Sequence, residues 1–413
     1  MIASLVIGTL LCLVLLLAAL PLLAAFDLEW LKLLARRAAV WGRLLAALAG
    51  GGSVLALFLG QVQDRDRLEI WGRVYASALH ALLAVDLLIG VLAGLLAVWP
   101  KGGAVALAAF REAIRQPLFW CLAGVTILLL LLSLFLPYYT FGDDYKFMKL
   151  IGFDLLMLVP GLFGVVTAAM TITEEIEGRT AVTLISKPVS RRQFLLGKYL
   201  GILLAAVALT ALLAWFFEWC LYFKPIIDPS DEAADPLRDQ IQPWLGGAAQ
   251  AVATGDVGGF LQGIALWFSS ALAGVLGQAI GSCQLLILTA LAAALATRLP
   301  LVVNLGACLL LFFLGHLAPV LVEVSARLQQ RFAADNAGAP SAALELVQFL
   351  ARLLDTVLPA LDFFNLGPAV IRDRPLPLGE YAVYVASVVG YSLLYAAIAL
   401  LLGLILFEDR DLT

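Results

Sequence analysis

The sequence predicts an all-α polytopic membrane protein, and two observations lead to this fold class. First, 63% of the 413 residues are hydrophobic, only 14% are charged, and the mean hydropathy is +1.00. Such usage lies far outside that of soluble domains, so most of the chain is expected in lipid. Second, the apolar runs are rich in Leu and Ala and lack the alternation of membrane strands, which favours helices over a barrel. At about 20 residues per span, they accommodate eight or nine helices.

A polar island at 171–201 separates two of the long apolar runs. In its first half, Thr173 is a candidate N-cap for a short helix, and Gly178 is a natural stop for that helix. Three acids then fall in the first turn, where they oppose the positive end of the helix dipole: Glu174, Glu175 and Glu177. Thr180 is a second candidate N-cap, and Arg179 lies just before it.

The second half of the island predicts the start of a further helix. Pro188 forces a turn, and Ser190 and Gln193 form an S-x-x-Q capping box. Val189 can pack against Phe194 across this box as a hydrophobic staple. The helix is therefore expected to begin at Ser190 and to enter the membrane. Three cations crowd that entry and mark the island as cytoplasmic: Arg191, Arg192 and Lys198.

This pattern resembles the permease subunits of ABC-2-type transporters. The motifs that carry the resemblance are Glu-Gly-Arg-Thr at 177–180, Lys-Pro-Val-Ser-Arg-Arg-Gln-Phe at 187–194 and Gly-Lys-Tyr-Leu-Gly at 197–201. The resemblance implies that the island lies between the second and third spans of a six-helix core and carries a cytoplasmic coupling helix that docks into a separate ATPase subunit. It implies an ATPase-coupling role for these residues: Glu174, Glu175, Glu177, Gly178, Arg179, Thr180, Pro188, Ser190 and Arg191.

Two further segments are similar to that family. Residues 104–117 predict an amphipathic interfacial helix ended by Pro117, like the elbow helix before the first core span of an ABC-2 permease. Residues 407–412 fit the Phe-x-x-Arg-Asp-Leu pattern that commonly ends these permeases. The predicted domains are therefore a membrane extension at 1–103, with about three extra N-terminal transmembrane helices, and an ABC-2-type permease core at 104–413. We expect the extension to be an accessory bundle.

The apolar runs set the predicted spans, with a kink at Pro160 in the fifth. The spans are 3–26, 44–59, 75–99, 118–136, 150–170, 194–219, 270–296, 301–320 and 381–407. The polar stretch 61–73 predicts an exposed outer turn. Inside the core, the coupling loop is 171–193, and 224–270 and 321–380 are outer segments. An interfacial helix is expected up to about Ser270, and an amphipathic helix at 341–361 over the outer mouth of the pathway.

The distribution of Lys and Arg predicts a multi-pass protein of the cell (inner) membrane with its N-terminus outside and its C-terminus in the cytoplasm. Asp86 lies near the middle of the third span, where an acid is a functional hypothesis by default. It can pair with a polar group such as His80 or form an intramembrane polar site. Alternatively, it is a structural acid inside the helix bundle.

The chain lacks the motifs of a catalytic site. It has no G-x-x-x-x-G-K-[ST] sequence, only two histidines and no cysteine pair with metal spacing, so we expect no cofactor or metal on this chain and no enzyme activity of its own. No basic tail indicates nucleic acid. The resemblance implies an exporter powered by a partner ATPase that holds ATP and Mg, with a second permease copy or a homologous permease beside it. The alternative is a gradient-driven secondary transporter or a membrane-embedded enzyme, which predicts several intramembrane ionisable groups.

Overall fold

The structure is a computed structural model, and it describes residues 2–26, 38–62, 64–136, 144–177, 189–228, 258–334, 342–364 and 378–408. These parts of the chain are helical. In chain order the helices are α1 (Ile2–Phe26), α2 (Ala38–Gln61), α3 (Arg65–Val98), α4 (Pro100–Arg115), α5 (Pro117–Phe135), α6 (Asp144–Glu177), α7 (Arg191–Ile227), α8 (Gly258–Leu295), α9 (Leu301–Ala334), α10 (Ala342–Val357) and α11 (Leu378–Glu408). A short 3-10 helix at Leu361–Phe364 lies between α10 and α11.

In the described part of the chain, eight helices are long and apolar enough to cross a membrane: α1, α3, α5, α6, α7, α8, α9 and α11. The predicted class of an all-α multi-pass membrane protein is confirmed. The second predicted span, 44–59, falls in α2, whose apolar part Leu45–Gln61 is shorter than the other eight. Three consecutive glycines from Gly50 to Gly52 lower the hydropathy of this helix.

Several helices are longer than the apolar runs within them, which corrects four predictions. Helix α3 begins at Arg65, so most of the predicted turn at 61–73 is helical. Helix α6 continues to Glu177, so no new helix starts at Thr173. Helix α8 is continuous from Gly258, so no break occurs near Ser270. Helix α9 runs beyond residue 320 to Ala334. Extending a formed helix adds one hydrogen bond per residue, whereas a new helix needs a costly nucleus.

The described chain forms two compact units, and unit 1 comprises residues 1–98, 130–148 and 211–275. In this unit α3 and α8 approach backbone to backbone through glycines. A Cβ atom on Gly72 would lie 2.0 Å from the carbonyl oxygen of Phe260, and one on Gly263 would lie 2.1 Å from the carbonyl oxygen of Glu69. Small residues of this kind allow close helix packing in membranes.

Polar contacts also join α3 to α7 in unit 1. The indole N–H groups of Trp215 and Trp219 donate to the Ser77 carbonyl and hydroxyl oxygens, at 3.0 and 2.9 Å. The Arg73 guanidinium is buried and lies 4.7 Å from the centre of the Tyr222 ring. The first half of α3 is therefore held by specific contacts with α7 and α8.

Unit 2 comprises residues 99–129, 149–210 and 276–413. Its core combines buried apolar side chains from α6, α7, α8 and α11, among them Ile172, Phe194, Leu195, Ala293 and Phe407. All five lie within five residues of an end of their helices, so the core includes the region where α6 ends and α7 begins.

The segment after α10 folds back along α9 and α11. Tyr391 accepts a hydrogen bond from the amide of Ala360 at 3.0 Å, and Tyr395 donates to the Val357 carbonyl at 3.1 Å. A Cβ on Gly315 would lie 2.9 Å from the side chain of Leu361. Gly315 is about 21 Å along α9 from Leu301 at 1.5 Å per residue. The amphipathic helix predicted at 341–361 is confirmed as α10 but ends at Val357, and the chain that follows it contacts the middle of α9.

Candidate functional site

Three helices of unit 2 meet around a buried cation, Lys198 of α7. Its Nζ lies 2.9 Å from Oε2 of Glu112 on α4 and 2.6 Å from Oε1 of Glu175 on α6. The Lys198 side chain is 5% exposed, whereas Glu175 is 22% and Glu112 is 47% exposed. Since hydrogen bonds between ionised groups are stronger than neutral ones, this cluster ties α4, the end of α6 and the start of α7 together.

Two glycines flanking Lys198 bring α4 close enough for these ion pairs. A Cβ atom on Gly197 would lie 2.8 Å from Cβ of Val105, and one on Gly201 would lie 2.3 Å from the carbonyl oxygen of Ala106. The motif Gly-Lys-Tyr-Leu-Gly therefore has a packing reason, because any larger residue at either glycine would push α4 away. Tyr199, inside the same motif, donates its hydroxyl to the Leu286 carbonyl at 3.1 Å.

The Glu175 carboxylate lies at an electrostatically unfavourable position, and the ion pair with Lys198 offsets that cost. The acids were predicted in the first turn of a new helix, but Glu174 and Glu175 lie in the last turn of α6. Carboxylates near a helix C-terminus face the negative end of its dipole. The helix continues past Thr173 because residues such as Ile172 and Ile176 bury their side chains in the core. The Lys198 ammonium then compensates for the acid at position 175.

The predicted capping box at the start of α7 is confirmed. The backbone N–H of Gln193 donates to Oγ of Ser190 at 3.2 Å, and the backbone N–H of Ser190 donates to Oε1 of Gln193 at 3.0 Å. Val189 packs against the core cluster that contains Phe194, as a hydrophobic staple requires. The start of α7 is therefore held by the reciprocal hydrogen bonds of the capping box and by the packing of Val189, the residue before it.

Arg191 binds the end of the last helix, α11. Its Nη1 donates to the carbonyl oxygens of Phe407 and Glu408 at 2.8 and 2.7 Å, and its guanidinium lies 5.5 Å from the centre of the Phe407 ring. Arg298 Nε donates to the Leu406 carbonyl at 2.7 Å. The last carbonyls of a helix have no partner within it, so these two arginines cap α11. The contact therefore joins the start of α7 to the motif at 407–412 at the end of α11.

A cavity of about 540 Å³ adjoins the cluster in unit 2. Helix α4 forms one wall from Pro100 to Glu112, and the other walls carry Glu175, Val189 and Lys198. Its lining is mainly apolar and its charged groups are those of the cluster, together with Lys101.

Only some of the predicted coupling residues make contacts that the structure describes. Glu175, Ser190 and Arg191 make the contacts described above, and Glu174 is exposed. Glu177 is the last residue of α6. Four of the predicted residues lie outside the described part of the chain: Gly178, Arg179, Thr180 and Pro188.

Asp86 lies on α3 in unit 1 and is not part of this cluster. Its suggested pair with His80 is not seen: Oδ1 of Asp86 and Nδ1 of His80 have no hydrogen-bond partner among the described residues, and the His80 ring packs against Trp267 and Phe268. The six-residue spacing puts the two side chains on different faces of the helix.

The central cation of the site was not predicted from the sequence. From the sequence, Lys198 was interpreted as a charge at the membrane entry and as part of the motif at 197–201, and Glu112 was given no role beyond its place in the predicted amphipathic helix at 104–117. A Lys between two glycines four residues apart, just before the apolar run 199–217 of α7, was the available signal. Among the described residues there is no group of three His, Cys, Asp or Glu side chains that could hold a metal ion.

The fold defines a multi-pass, all-helical membrane protein. Residues 113–226 match the family model described as ABC-2 family transporter protein. This part of the chain is an ABC-2 family transporter membrane domain, so the resemblance predicted from the polar island is confirmed here. The match contains Glu175 and Lys198 and begins directly after Glu112. Domains of this family are typically non-catalytic membrane components. The comparison with curated proteins gives no match.

Proposed function

We propose that this chain is the permease subunit of an ABC exporter of the cell (inner) membrane. A separate ATPase subunit binds ATP and Mg and supplies the energy, and a second permease copy or a homologous permease completes the membrane pathway. This chain contributes the membrane helices of the pathway and the cytoplasmic segment through which the ATPase moves them. It is not an enzyme by itself.

The ion-pair cluster at Lys198 is the observation that carries this proposal. The segment 178–188 joins the end of α6 to the capped start of α7 in the sequence, and the family resemblance implies that it is the docking element for the ATPase. A displacement applied there reaches Glu175 on one side and Ser190 on the other. Because Lys198 links Glu175 to α4 and is itself part of α7, the displacement is transmitted to three helices through contiguous contacts.

Charge placement supports a cytoplasmic location for this end of the molecule. Arg191 and Arg298 both contact carbonyl oxygens at the end of α11, so these basic residues share one end of the helices. Short loops rich in Arg and Lys stay in the cytoplasm. The C-terminus then lies in the cytoplasm, and α4 lies along the inner interface as an elbow helix. An N-terminus outside requires an odd number of spans, so the proposal includes the 24-residue helix α2 as a ninth span beside the eight longer apolar ones.

Purification of the tagged full chain tests the proposal. An ATPase subunit is expected to co-purify, and its ATP hydrolysis in proteoliposomes is expected to differ from that of the isolated ATPase. Charge reversal by Glu175→Lys should uncouple the two chains while membrane insertion stays intact. The swapped pair Glu175→Lys with Lys198→Glu restores opposite charges and should regain part of the coupling.

Glu174 provides the matched comparison, because it is exposed and adjacent to Glu175. Glu174→Lys is expected to reduce the amount of bound ATPase without lowering the stability of the permease. The proposal is wrong if no ATPase binds the full chain, or if a well-folded double reversal of Glu174 and Glu175 leaves ATP hydrolysis by the complex unchanged.

A further inference from the structure

Helix α4 carries a basic face whose cations have no acidic partner in the described part of the chain. The face contains residues spaced three or four apart, all of them exposed: Lys101, Ala104, Ala108, Arg111 and Arg115. The acid of α4, Glu112, is bound to Lys198 and does not neutralise this face. The face therefore presents positive charge to its surroundings.

The cavity of about 540 Å³ in unit 2 lies against this basic face. Lys101, Ala104 and Ala108 line it on α4, and Val189 and Phe194 line it near the start of α7. Because the two alanines are small, they leave an apolar space between the helices. The volume lies within the range of about 300–1,000 Å³ that is typical of ligand pockets.

The charges around the cavity favour an anion at one end of it. Glu112, Glu175 and Lys198 already bind one another, whereas Lys101 has no such partner among the described residues. Glu112 is eleven positions from Lys101, or about 16 Å along the helix. That separation exceeds the screening length of about 8 Å at physiological ionic strength. An anion at Lys101 is therefore attracted by the ammonium group and little repelled by the Glu112 carboxylate.

Trp99 marks the membrane surface at the start of α4. Its indole folds over the first turn, since a Cβ atom on Gly102 would lie 2.3 Å from the indole ring. Trp side chains are enriched at the boundary between lipid and water. Next to the basic face, Leu107, Phe110 and Ile114 form a half-buried apolar stripe. A helix with these two neighbouring faces lies in the interface, with its cations at the level of the lipid headgroups.

We propose that the cavity beside α4 binds an anionic phospholipid of the cytoplasmic leaflet, with the phosphate on Lys101 and one acyl chain between Ala108 and Phe194. The inference rests on the proposed function for one point, namely that this end of the protein lies at the cytoplasmic surface, where anionic lipids concentrate. Arg111 and Arg115 attract such lipids to the same face. The phosphate supplies charged acceptor oxygens for Lys101, and the acyl chain covers the apolar lining. A soluble phosphate compound would leave that lining uncovered.

Quenching of tryptophan fluorescence by brominated lipids tests the site, because Trp99 is two residues from Lys101. The full chain is reconstituted without an ATPase in vesicles of phosphatidylcholine and phosphatidylglycerol, and the acyl chains of one lipid at a time are brominated. The difference between the chain and its Trp99→Phe variant isolates the signal of Trp99 among the nine tryptophans. Phosphatidylglycerol should bind about fivefold more tightly than phosphatidylcholine, as expected for one cation near a membrane surface.

Two variants separate the charge from the cavity. Lys101→Gln should abolish the preference for phosphatidylglycerol, whereas Arg331→Gln, which removes an exposed cation from α9, should preserve it. Ala108→Phe fills the cavity and should weaken the binding of both lipids by about tenfold or more, since the loss of two buried methylene groups already has that effect. Gly124→Phe is its matched control, because Gly124 on α5 has open space around it.

The outcomes distinguish this inference from its alternatives and from the proposed function. Equal binding of the two lipids to the wild-type chain, or a preference that survives Lys101→Gln, would overturn it. Competition by glycerophosphoglycerol, the same headgroup without acyl chains, would show a site for soluble phosphate compounds and would overturn it as well. If Ala108→Phe leaves lipid binding unchanged but prevents ATPase binding, the cavity receives the ATPase and the lipid site is refuted. A chain that keeps the lipid preference but binds no ATPase retains the lipid site and loses the proposed function.

Discussion

Replacement of Lys198 by Met is the most informative single change in the coupling cluster. The Met side chain fills most of the same space but removes the charge between Glu112 and Glu175. The pair with Glu175, at 22% exposure and 2.6 Å, is a charge-assisted hydrogen bond worth about 1.5–3 kcal/mol. The pair with Glu112, at 47% exposure, belongs with surface ion pairs of about 0–1 kcal/mol. Lys198→Met should therefore lower the free energy of unfolding by about 1.5–4 kcal/mol.

A double-mutant cycle separates the two pairs. The free energy of unfolding of the solubilised full chain is measured by denaturant titration with tryptophan fluorescence for Lys198→Met, Glu175→Gln, Glu112→Gln and each double variant. The coupling energy should be about 1.5–3 kcal/mol for Lys198 with Glu175 and below about 1 kcal/mol for Lys198 with Glu112. Glu174→Gln is the control and should stay within about 0.5 kcal/mol of the wild type.

Two results would refute this reasoning. Equal coupling energies for the two pairs would mean that burial does not decide their strength. A Lys198→Met protein within about 0.5 kcal/mol of the wild type would mean that the cluster does not join the helices, and the proposed route of coupling would lose its physical basis.

Three further predictions concern the caps, the topology and the N-terminal helices. Arg191→Gln should destabilise the chain by about 1–3 kcal/mol in the same titration, because it removes two charge-assisted bonds to α11, while Arg192→Gln, whose side chain is 72% exposed, should have little effect; similar losses would contradict the capping argument. Membrane-impermeant labelling of single cysteines from outside should reach positions 66, 232 and 335 and miss positions 187 and 411; outside labelling at 187 would invert the topology. A chain beginning at residue 63 should remain monodisperse to a higher temperature than one beginning at residue 103, because only the first keeps Ser77 as the acceptor for two indole groups, and equal stability would support a fully accessory extension.

Local interactions made several features predictable from the sequence. The capping box at Ser190 and Gln193 depends on atoms three residues apart, so its residue types specify it without any other part of the chain. The amphipathic helix α10 follows from the spacing of its apolar residues. The class of the protein follows from composition, because an apolar segment long enough to cross the bilayer must satisfy its backbone hydrogen bonds internally and therefore forms a helix. The resemblance confirmed at 113–226 depended on the same local motifs.

Helix ends and long-range pairs were decided only by the tertiary structure. The acids at 174 and 175 have the residue types of a helix start, yet they end α6, because the burial of Ile172 and Ile176 outweighs the unfavourable dipole and Lys198 offsets the charge. Nothing near Lys198 in the sequence identifies Glu112 or Glu175 as its partners. They meet because Gly197 and Gly201 leave room for α4 to approach. The sequence alone determines which segments are apolar enough to enter the membrane and where the capping box at Ser190 lies, since those are local free energies. The pairing of charges across helices depends on which faces come together, and only the packed structure determines that.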